Sequence, residues 1–459
     1  ESGSGKSLSA LSIVDLISSE LDVRYSSKKV EGLSSGVEGE GLRGKFAAVV
    51  FQEPMATFNP TQKLEPQILE HSGATRTQAL QLLKELEVEN GERLLNAYPH
   101  QLSGGQLQRA SLAMALIREP KLLIADEPTT ALDPVSSNQF LTLLKRTVKD
   151  RQIGCLFISH DISSVQKCCD KLVVMCKGKL IETGPCSAIL ASPKSVYTQE
   201  LLASEPRFGI YPKELANPNS ELQEPQVFST PLIRIEKVSK SFGATRVLSD
   251  INFTLHQGET LGFAGKSGSG KSTLSQIVMG LVDYDGGSIS LLEGLHQDQI
   301  QIVFQDPYSV LNPKRKVKDI LGDVAKKYGQ PYPRAVDDIL KEVGLCPEDK
   351  EKYPREFSGG QRQRINIARA LLTQPTVLIL DESVAALDIF IQAQILNLLN
   401  RLKESRNLSY LFISHDPKVL DFFCDRLILL QKGEIVFESK KGLWHNDQNP
   451  FITSFLGKA

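Results

Sequence analysis

A glycine-rich loop is the strongest chemical signal in this 459-residue chain. Residues 265–272, GKSGSGKS, match the pattern G-x-x-x-x-G-K-[ST] in full; they follow the apolar run 260–264 and precede a helix predicted at 273–280. Such a loop presents successive backbone N–H groups to an anion at a helix N-terminus. The pattern therefore predicts a phosphate site in which Lys271 reaches the outer phosphates and the Ser272 hydroxyl binds Mg²⁺.

An acidic pair closes a second apolar run. Residues 377–381, VLILD, predict a buried parallel strand that ends in Asp381, and Glu382 follows directly. Acidic pairs at strand ends are usually solvated, but a nearby phosphate loop changes the interpretation. Beside such a loop, Asp381 would support Mg²⁺ and Glu382 would act as the general base that polarises an attacking water.

These features occur twice, in the same order. The six repeated landmarks are GSGKS at 3–7 and 268–272, VVFQEP and IVFQDP around Gln52 and Gln305, SGGQ at 103–106 and 358–361, Asp126 with Glu127 and Asp381 with Glu382, ALD at 131–133 and 386–388, and FISHD around His160 and His415. From Ser103 to His160 the second copy follows at a constant distance of 255 residues, which chance does not produce. The offset is 265 at Lys6 and 253 at Gln52, so the first copy has 12 extra residues between them, expected as a surface loop at 34–44.

The repeat predicts two α/β domains, residues 1–203 and 232–459, joined by a Pro-, Glu- and Asn-containing linker at 204–231. The second copy has 39 residues ahead of Lys271, with strand-like runs, whereas the first has five ahead of Lys6. We therefore expect the first domain to lack its first strands and the opening glycine of its loop. The chain, which starts without Met, is expected to be a fragment.

Three further kinds of polar residue recur in both copies. His160 and His415 follow LFIS runs, and their repetition favours sensors of a terminal phosphate over ordinary core histidines. Gln52 and Gln305 end VVF and IVF runs, where an amide can bind Mg²⁺ or water without adding charge. The SGGQ residues precede helix-like runs, so their N–H groups and the helix dipole favour an anion, although each serine is also an ordinary N-cap.

Composition limits the possible partners. Lys plus Arg total 53 against 54 Asp plus Glu, a net charge of -1, which gives no bulk attraction to nucleic acid. Hydrophobic residues make up 41% of the chain, yet no apolar run approaches the ~20 residues that cross a bilayer. The seven cysteines contain no C-x-x-C pair, which indicates a reducing compartment, the cytoplasm.

Together the six landmarks resemble the ATP-binding cassette family over nearly the whole chain. The resemblance implies an α/β fold of two tandem P-loop NTPase domains, the first truncated at its N-terminus. Each would have a RecA-like parallel core sheet, an antiparallel β subdomain and a helical signature subdomain. It also implies an ATPase that uses ATP and Mg²⁺, with two cassettes docked head to tail. Lys6 and Ser7 would then share a site with residues 358–361, and Lys271 and Ser272 with residues 103–106.

The resemblance also assigns roles residue by residue. Catalytic residues would be Glu127, Glu382, His160 and His415. Nucleotide would be bound by Gly3, Ser4, Gly5, Lys6 and Ser7, by Gly265, Gly268, Ser269, Gly270, Lys271, Ser272 and Thr273, by the adenine-stacking Phe242, by Ser103, Gly104, Gly105 and Gln106, by Ser358, Gly359, Gly360 and Gln361, and by Asp133 and Asp388. Mg²⁺ would be held by Ser7, Ser272, Gln52, Gln305, Asp126 and Asp381.

A narrower resemblance points to peptide uptake. The segment 192–206, SPKSVYTQELLASEP, is similar to the HPYT-x-x-LL-x-x-x-P tail of oligopeptide and dipeptide importer ATPases, including the fused double-cassette ATPases of the microcin C type. This implies a peripheral subunit on the cytoplasmic face of the bacterial inner membrane. It would drive two integral membrane permease subunits, with an extracytoplasmic solute-binding protein and no nucleic acid. The segment 381–388, DESVAALD, departs from the family at Ser383 and Val384, which replace Pro-Thr in the turn; we expect activity to survive.

Three alternatives stay open at this point. A soluble tandem cassette acting on ribosomes or DNA would need a longer charged helical linker or C-x-x-C zinc pairs, and the sequence has neither. An importer of nickel or another small solute would share the same motifs. A truncated, inactive relic would explain the first strands missing from the first copy.

Overall fold

The computed structural model divides the chain into two compact units, Glu1–Leu202 and Ala203–Ala459. The structure describes residues 4–16, 46–70, 72–130, 132, 134–203, 228–266, 268–306, 310–385, 387–444, 447 and 449–456, without the side chains of 134, 135, 389 and 454. The expected loop at 34–44 and most of the expected linker lie outside these residues. The last residue assigned to that linker, Pro231, already begins a strand.

Parallel strands form the centre of the first unit. The strands are β1 (Ala47–Val50), β2 (Leu122–Asp126) and β3 (Gly154–Ile158), in the order β1-β2-β3, and β4 (Lys171–Cys176) with β5 (Lys179–Pro185), which form a separate antiparallel pair. In the register of the parallel sheet, Val50 lies opposite Ala125 and Asp126 opposite Ile158. The polar residues that follow these strands are therefore brought to one edge of the sheet.

Helices of the first unit connect and cover these strands. They are α1 (Lys6–Ile13), α2 (Pro54–Thr57), α3 (Leu64–Leu69), α4 (Arg76–Glu85), α5 (Gly91–Asn96), α6 (Gly104–Leu116), α7 (Pro134–Asp150), α8 (Ile162–Cys168), α9 (Cys186–Ala191) and α10 (Val196–Ala203). Helix α6 follows the SGGQ segment directly, and its buried residues join a core shared with α3 to α5 and the central strands.

The second unit contains two sheets. The antiparallel sheet consists of β6 (Pro231–Phe242), β7 (Thr245–His256) and β9 (Gly286–Leu291), in the order β7-β6-β9. The central sheet consists of β8 (Thr260–Ala264), β10 (Ile300–Val303), β11 (Val377–Asp381), β12 (Ser409–Ile413), β13 (Arg426–Gln431) and β14 (Glu434–Lys440), in the order β10-β11-β12-β8-β13-β14. All neighbours in the central sheet are parallel except β13 with β14.

Helices of the second unit repeat the plan of the first. They are α11 (Lys271–Val278), α12 (Val317–Lys327), α13 (Arg334–Glu342), α14 (Gly359–Leu371), α15 (Ile389–Arg406), α16 (Pro417–Phe423) and α17 (Pro450–Phe455). Among the described residues, no helix has both the length and the apolar character needed to cross a membrane.

Both faces of the central sheet are covered, which explains the continuous apolar run of β11. Leu378 and Leu380 belong to a core with helices α12 to α16, whereas Val377 and Ile379 belong to a core with the antiparallel sheet and α11. Alternate side chains of a strand point to opposite faces, so a strand buried on both sides has no polar alternation.

The expected α/β class with parallel core sheets, antiparallel strands and a helical segment before each SGGQ motif is confirmed. The helix predicted at 273–280 begins two residues earlier, at Lys271, because Gly270 supplies the left-handed turn that opens it. In the second unit β8 pairs with both β12 and β13; among the described residues of the first unit, β3 and β4 lie in separate sheets.

Candidate functional site

The glycine-rich loop of the second unit leads from β8 into α11. Gly265 has a φ of +151°, and a Cβ at this position would lie 2.2 Å from the Leu430 carbonyl oxygen. At Gly270, with φ of +104°, a Cβ would lie 2.6 Å from Leu248 Cδ2. The loop can therefore close around its own backbone only with glycine at these positions.

The interior of this loop is built for an anion. Lys271 is buried, and its Nζ donates to the carbonyl oxygens of Gly265 at 2.7 Å and Lys266 at 3.0 Å. Ser269 Oγ is buried and has no hydrogen-bond partner among the described residues. A buried cation beside a hydroxyl without a hydrogen-bond partner fits phosphate oxygens. The neighbouring Ser272 and Thr273 lie in the first turn of α11.

The first unit repeats the C-terminal part of this loop. Gly5 adopts the left-handed conformation, with φ of +87°, and α1 begins at Lys6. Lys6 Nζ donates to Ser4 Oγ at 3.2 Å, and Ser7 Oγ donates to Asp126 Oδ1 at 3.0 Å. The loop lysine and serine thus lie beside the strand-end carboxylate, as predicted. The expected phosphate-binding Gly3 lies outside the described residues.

Asp126 and Asp381 end the central strands β2 and β11. Burial raises the pKa of the Asp126 carboxyl, which the hydrogen bond from Ser7 only partly offsets. Burial and the charge of Glu382 likewise raise the pKa of Asp381, against the opposing charge of Lys271 and a hydrogen bond from Ser272. A carboxylate whose charged form is disfavoured gains from a bound cation, so these positions fit Mg²⁺.

Each strand-end glutamate is held by a histidine and a glutamine. Glu127 Oε2 lies 3.0 Å from His160 Nδ1 and accepts from Gln52 Nε2 at 3.2 Å. In the second unit, Glu382 accepts from Gln305 Nε2 at 3.1 Å and lies 3.5 Å from His415 Nδ1.

These contacts set the charge of the glutamates. Burial opposes ionisation of Glu127, but the hydrogen bond and charge of His160 outweigh it and lower its pKa. The hydrogen bond from His415 is the largest cause of the lowered pKa of Glu382, against burial. Burial disfavours protonated His160 and His415, yet the bonded glutamates raise the pKa of both rings. Each glutamate is therefore an ionised carboxylate at neutral pH.

The SGGQ segments form helix N-caps in both units. Ser103 Oγ accepts from Gln106 N at 3.3 Å, and Ser103 N donates to Gln106 Oε1 at 3.1 Å. Ser358 and Gln361 make the same reciprocal pair at 3.3 and 3.0 Å. The serines are exposed, so the caps leave the helix starts accessible to an anion.

The last three residues predicted to bind nucleotide are Phe242, Asp388 and Asp133. Phe242, at the end of β6, is 52% exposed, and Lys240 Nζ lies 5.3 Å from its ring centroid, so the ring is open to a stacking ligand. Asp388 Oδ1 accepts from Ile391 N at 3.1 Å and caps α15. Asp133 lies outside the described residues.

Sequence reasoning missed one side chain at the glutamate. Thr130 Oγ1 lies 3.2 Å from Glu127 Oε2. A comparison of PTTALD with SVAALD in the register of the repeat would have found it, because Ala385 takes the place of Thr130 in the second copy.

The sequence pattern of the family described as "ABC transporter" matches residues 1–130 and 248–385, more than half of the chain. The chain belongs to the ABC transporter family. The uncharacterized ABC transporter ATP-binding protein YejF of Escherichia coli K12 is 41% identical to it over 466 residues, covering 95% of this chain and 88% of YejF.

Two further proteins are similar to this chain. The glutathione import ATP-binding protein GsiA of Shigella dysenteriae is 37% identical over 516 residues, covering 99% of this chain and 83% of GsiA. A solved structure of CbiO1 from Clostridium perfringens, part of the ABC transporter complex cbiONQ, covers 50% of this chain and all of its own, with 24% identity and a TM-score of 0.44. ABC ATP-binding proteins are ATPases that bind ATP with Mg²⁺, and this ABC protein is one of them.

Proposed function

We propose that this ABC protein is the ATP-hydrolysing subunit of an importer that takes up peptides or peptide-like solutes. The similarity to GsiA, a glutathione import protein, over 99% of the chain carries the proposal, because glutathione is itself a small peptide. The protein would lie on the cytoplasmic face of the bacterial inner membrane. It would drive two integral membrane permease subunits, fed by an extracytoplasmic solute-binding protein.

The proposed chemical step is attack of water on the terminal phosphate. The water oxygen bonds to the γ-phosphorus as the bond to the β–γ bridging oxygen breaks, and ADP and phosphate leave. Glu127 or Glu382 takes the water proton, a role supported by an ionised carboxylate beside a phosphate loop. His160 and His415 hold that carboxylate and contact the terminal phosphate.

Binding residues surround this step in each unit. Lys6 and Lys271 pair with the outer phosphates, in place of the Ser4 hydroxyl and the loop carbonyls that they bond in the structure. When bound, Mg²⁺ would supply positive charge close to the phosphate oxygens. Its ligands would be Ser7, Asp126 and Gln52 in the first unit, and Ser272, Asp381 and Gln305 in the second.

The SGGQ segment of each unit would complete the nucleotide site of the other unit. We propose that residues 103–106 close over nucleotide bound at Lys271, and residues 358–361 over nucleotide bound at Lys6. The exposed starts of α6 and α14 support this, since the positive end of a helix dipole favours an anion. Phe242 would stack on adenine, and Asp133 and Asp388 would line the closed interface.

Closure of the two cassettes would provide the movement that drives transport. ATP would draw them together, and hydrolysis with product release would reopen them, rocking the permease subunits between outward and inward access.

Copurification with the permeases and uptake by the reconstituted complex test this proposal. Retention of two membrane subunits and peptide uptake that fails in Lys271→Ala are expected; the exposed Lys327→Ala serves as the matched control. Copurifying ribosomes, or uptake of nickel but of no peptide, would contradict the importer function or its solute class.

A further inference from the structure

The two candidate catalytic glutamates are held differently. Three donors converge on one oxygen of Glu127: His160 Nδ1 at 3.0 Å, Gln52 Nε2 at 3.2 Å and Thr130 Oγ1 at 3.2 Å from Oε2. None of these three contacts uses Oε1, so these donors leave the lone pairs of that oxygen available to accept a proton.

The second unit divides its donors between the two oxygens. Gln305 Nε2 donates to Glu382 Oε2 at 3.1 Å, and His415 Nδ1 lies 3.5 Å from Oε1. Ala385, which stands where the first unit has Thr130, offers no hydroxyl. Each oxygen of Glu382 has one of these partners, and the second contact is at the limit of hydrogen-bond length.

The backbone does not account for this difference. Glu127 and Glu382 both have a φ of 45°. Their backbone N–H groups donate to Ile158 and Ile413 at 2.9 Å in both units. The difference therefore lies in the side chains around each glutamate, among them Thr130 in the first unit and Ala385 in the second.

The turn does bring another hydroxyl next to Glu382, but this hydroxyl does not replace Thr130. Ser383 is buried, 3% exposed, and its Oγ has no hydrogen-bond partner among the described residues. Within the described parts of the chain, the carboxylate of Glu382 thus has two of these side-chain partners, whereas that of Glu127 has three.

We propose that Thr130 is a positioning residue that fixes Glu127 on one oxygen, and that Ala385 leaves Glu382 less constrained, so the first-unit site hydrolyses ATP faster. The inference rests on the proposed role of both glutamates as general bases. A carboxylate that is free to rotate spends less time in the geometry that accepts the water proton. The two sites of this protein are then chemically unequal although both contain the same recognisable motifs.

The experiment measures ATP turnover at one site at a time. Glu382→Gln leaves the first-unit site as the source of turnover, and Glu127→Gln leaves the second. In the first background, Thr130→Val keeps the shape of the side chain but removes the donor. We expect it to lower kcat about tenfold while KM for ATP stays within about twofold. Thr130→Ser, which restores a hydroxyl, should recover most of the rate.

The reciprocal change gives a gain of function. In the Glu127→Gln background, Ala385→Thr should raise kcat several-fold, on the order of the loss seen for Thr130→Val, whereas Ala385→Val should not. Equilibrium binding of Mg·ATP and the thermal unfolding temperature are measured on every variant, and we expect both to match the parent.

The outcomes distinguish failure of the positioning role of Thr130 from failure of the general-base role of the glutamates. If Glu127→Gln with Glu382→Gln abolishes turnover but Thr130→Val and Ala385→Thr behave like their parents, the positioning role is wrong and the base assignment stands. A failure of Thr130→Ser to recover the rate, or an equal gain from Ala385→Val, also overturns it. If the double glutamine variant hydrolyses ATP normally, both the general-base assignment and the positioning role of Thr130 are wrong.

Discussion

Glu127 and Glu382 occupy a backbone conformation that few residues other than glycine adopt, with φ of 45° in both units. The left-handed region costs about 1 kcal/mol or more for a side-chain-bearing residue and persists where the surroundings enforce it. Here each glutamate N–H is fixed by a carbonyl of the neighbouring strand, at 2.9 Å. This conformation places a carboxylate directly after the aspartate that ends the strand, at the sheet edge where the loop lysine lies.

Replacing both carboxylates by isosteric amides tests the base assignment. Glutamine keeps the shape and the turn but cannot accept a proton from water, so Glu127→Gln with Glu382→Gln should lower ATP turnover by about 10²- to 10⁴-fold. Mg·ATP should still bind, because the loop lysines and aspartates are intact. Phosphate release and equilibrium nucleotide binding measure the two effects. Undiminished phosphate release would refute the role of these glutamates.

The two adjacent glycines that begin α14 are not equivalent. A Cβ at Gly360 would lie 2.3 Å from Ile391 Cγ2, whereas a Cβ at Gly359 would meet nothing closer than Leu387 Cδ2 at 3.9 Å. Ile391 belongs to α15 and is branched at Cβ, so its methyl group moves only with a change of rotamer. Gly360 therefore allows α14 and α15 to pack closely.

We predict that Gly360→Ala destabilises the second unit by about 1 to 3 kcal/mol through overpacking. Gly359→Ala, one residue earlier, should be close to neutral and serves as the control. Trp444, the single tryptophan of the chain, is buried in the second unit, so denaturant unfolding followed by its fluorescence reports on this unit. Equal unfolding midpoints for the two variants would contradict the close packing of α14 on α15.

A buried ion pair joins three strands of the second unit. Glu259 is 1% exposed and accepts from Arg426 Nε at 2.7 Å and from His256 N at 2.9 Å. Arg426 also bonds Glu438 and the Thr254 carbonyl. Burial opposes ionisation of Glu259, but the hydrogen bond and charge of Arg426 outweigh it and lower its pKa.

This pair predicts a pH-dependent stability. Because the folded pKa of Glu259 lies below its ordinary value, its contribution is complete above that ordinary value, near pH 4.5, and is lost as pH falls through the folded pKa. At neutral pH, Glu259→Gln should destabilise the second unit by about 3 kcal/mol, since it leaves Arg426 without its buried partner. The difference between wild type and variant, measured by Trp444 fluorescence, should shrink as pH falls below 4.5.

The matched control for this pair is an exposed one. Arg334 and Asp338 form an ion pair whose side chains are 85% and 59% exposed. Asp338→Asn should change stability by less than about 1 kcal/mol. A Glu259→Gln effect no larger than that of Asp338→Asn, or one that stays constant with pH, would show that the buried pair does not stabilise the unit.

Much of the fold could be predicted from the sequence where local pattern and packing agree. The run 377–381 is apolar on both faces because β11 is covered on both faces, and GSGKS at 268–272 requires a loop before a helix. The long strands β6 and β7 were seen only in part, as LIRIEKV and INFTL, because their remaining residues alternate less regularly. Thr130 was missed because the two copies were compared at the residues they share, and Thr130 stands at a position where they differ.

The repeat joins two cassettes in one polypeptide. Two nucleotide sites in one chain gain from covalent linkage, since the second cassette is always present at high effective concentration. The proposed head-to-tail pairing then makes each site depend on a segment from the other unit.

Arginine substitutions in the SGGQ segments test that pairing when they are made in variants that keep one of the two catalytic glutamates. In the Glu127→Gln background, turnover comes from the site with Lys271, so Ser103→Arg should abolish it while Ser358→Arg reduces it much less. The Glu382→Gln background should reverse this order. Both serines cap their helices with the same reciprocal bonds, so each substitution costs a similar ~1 kcal/mol of local stability, and only the pairing distinguishes them. If each arginine instead impairs the site of its own unit, the two cassettes do not complete each other.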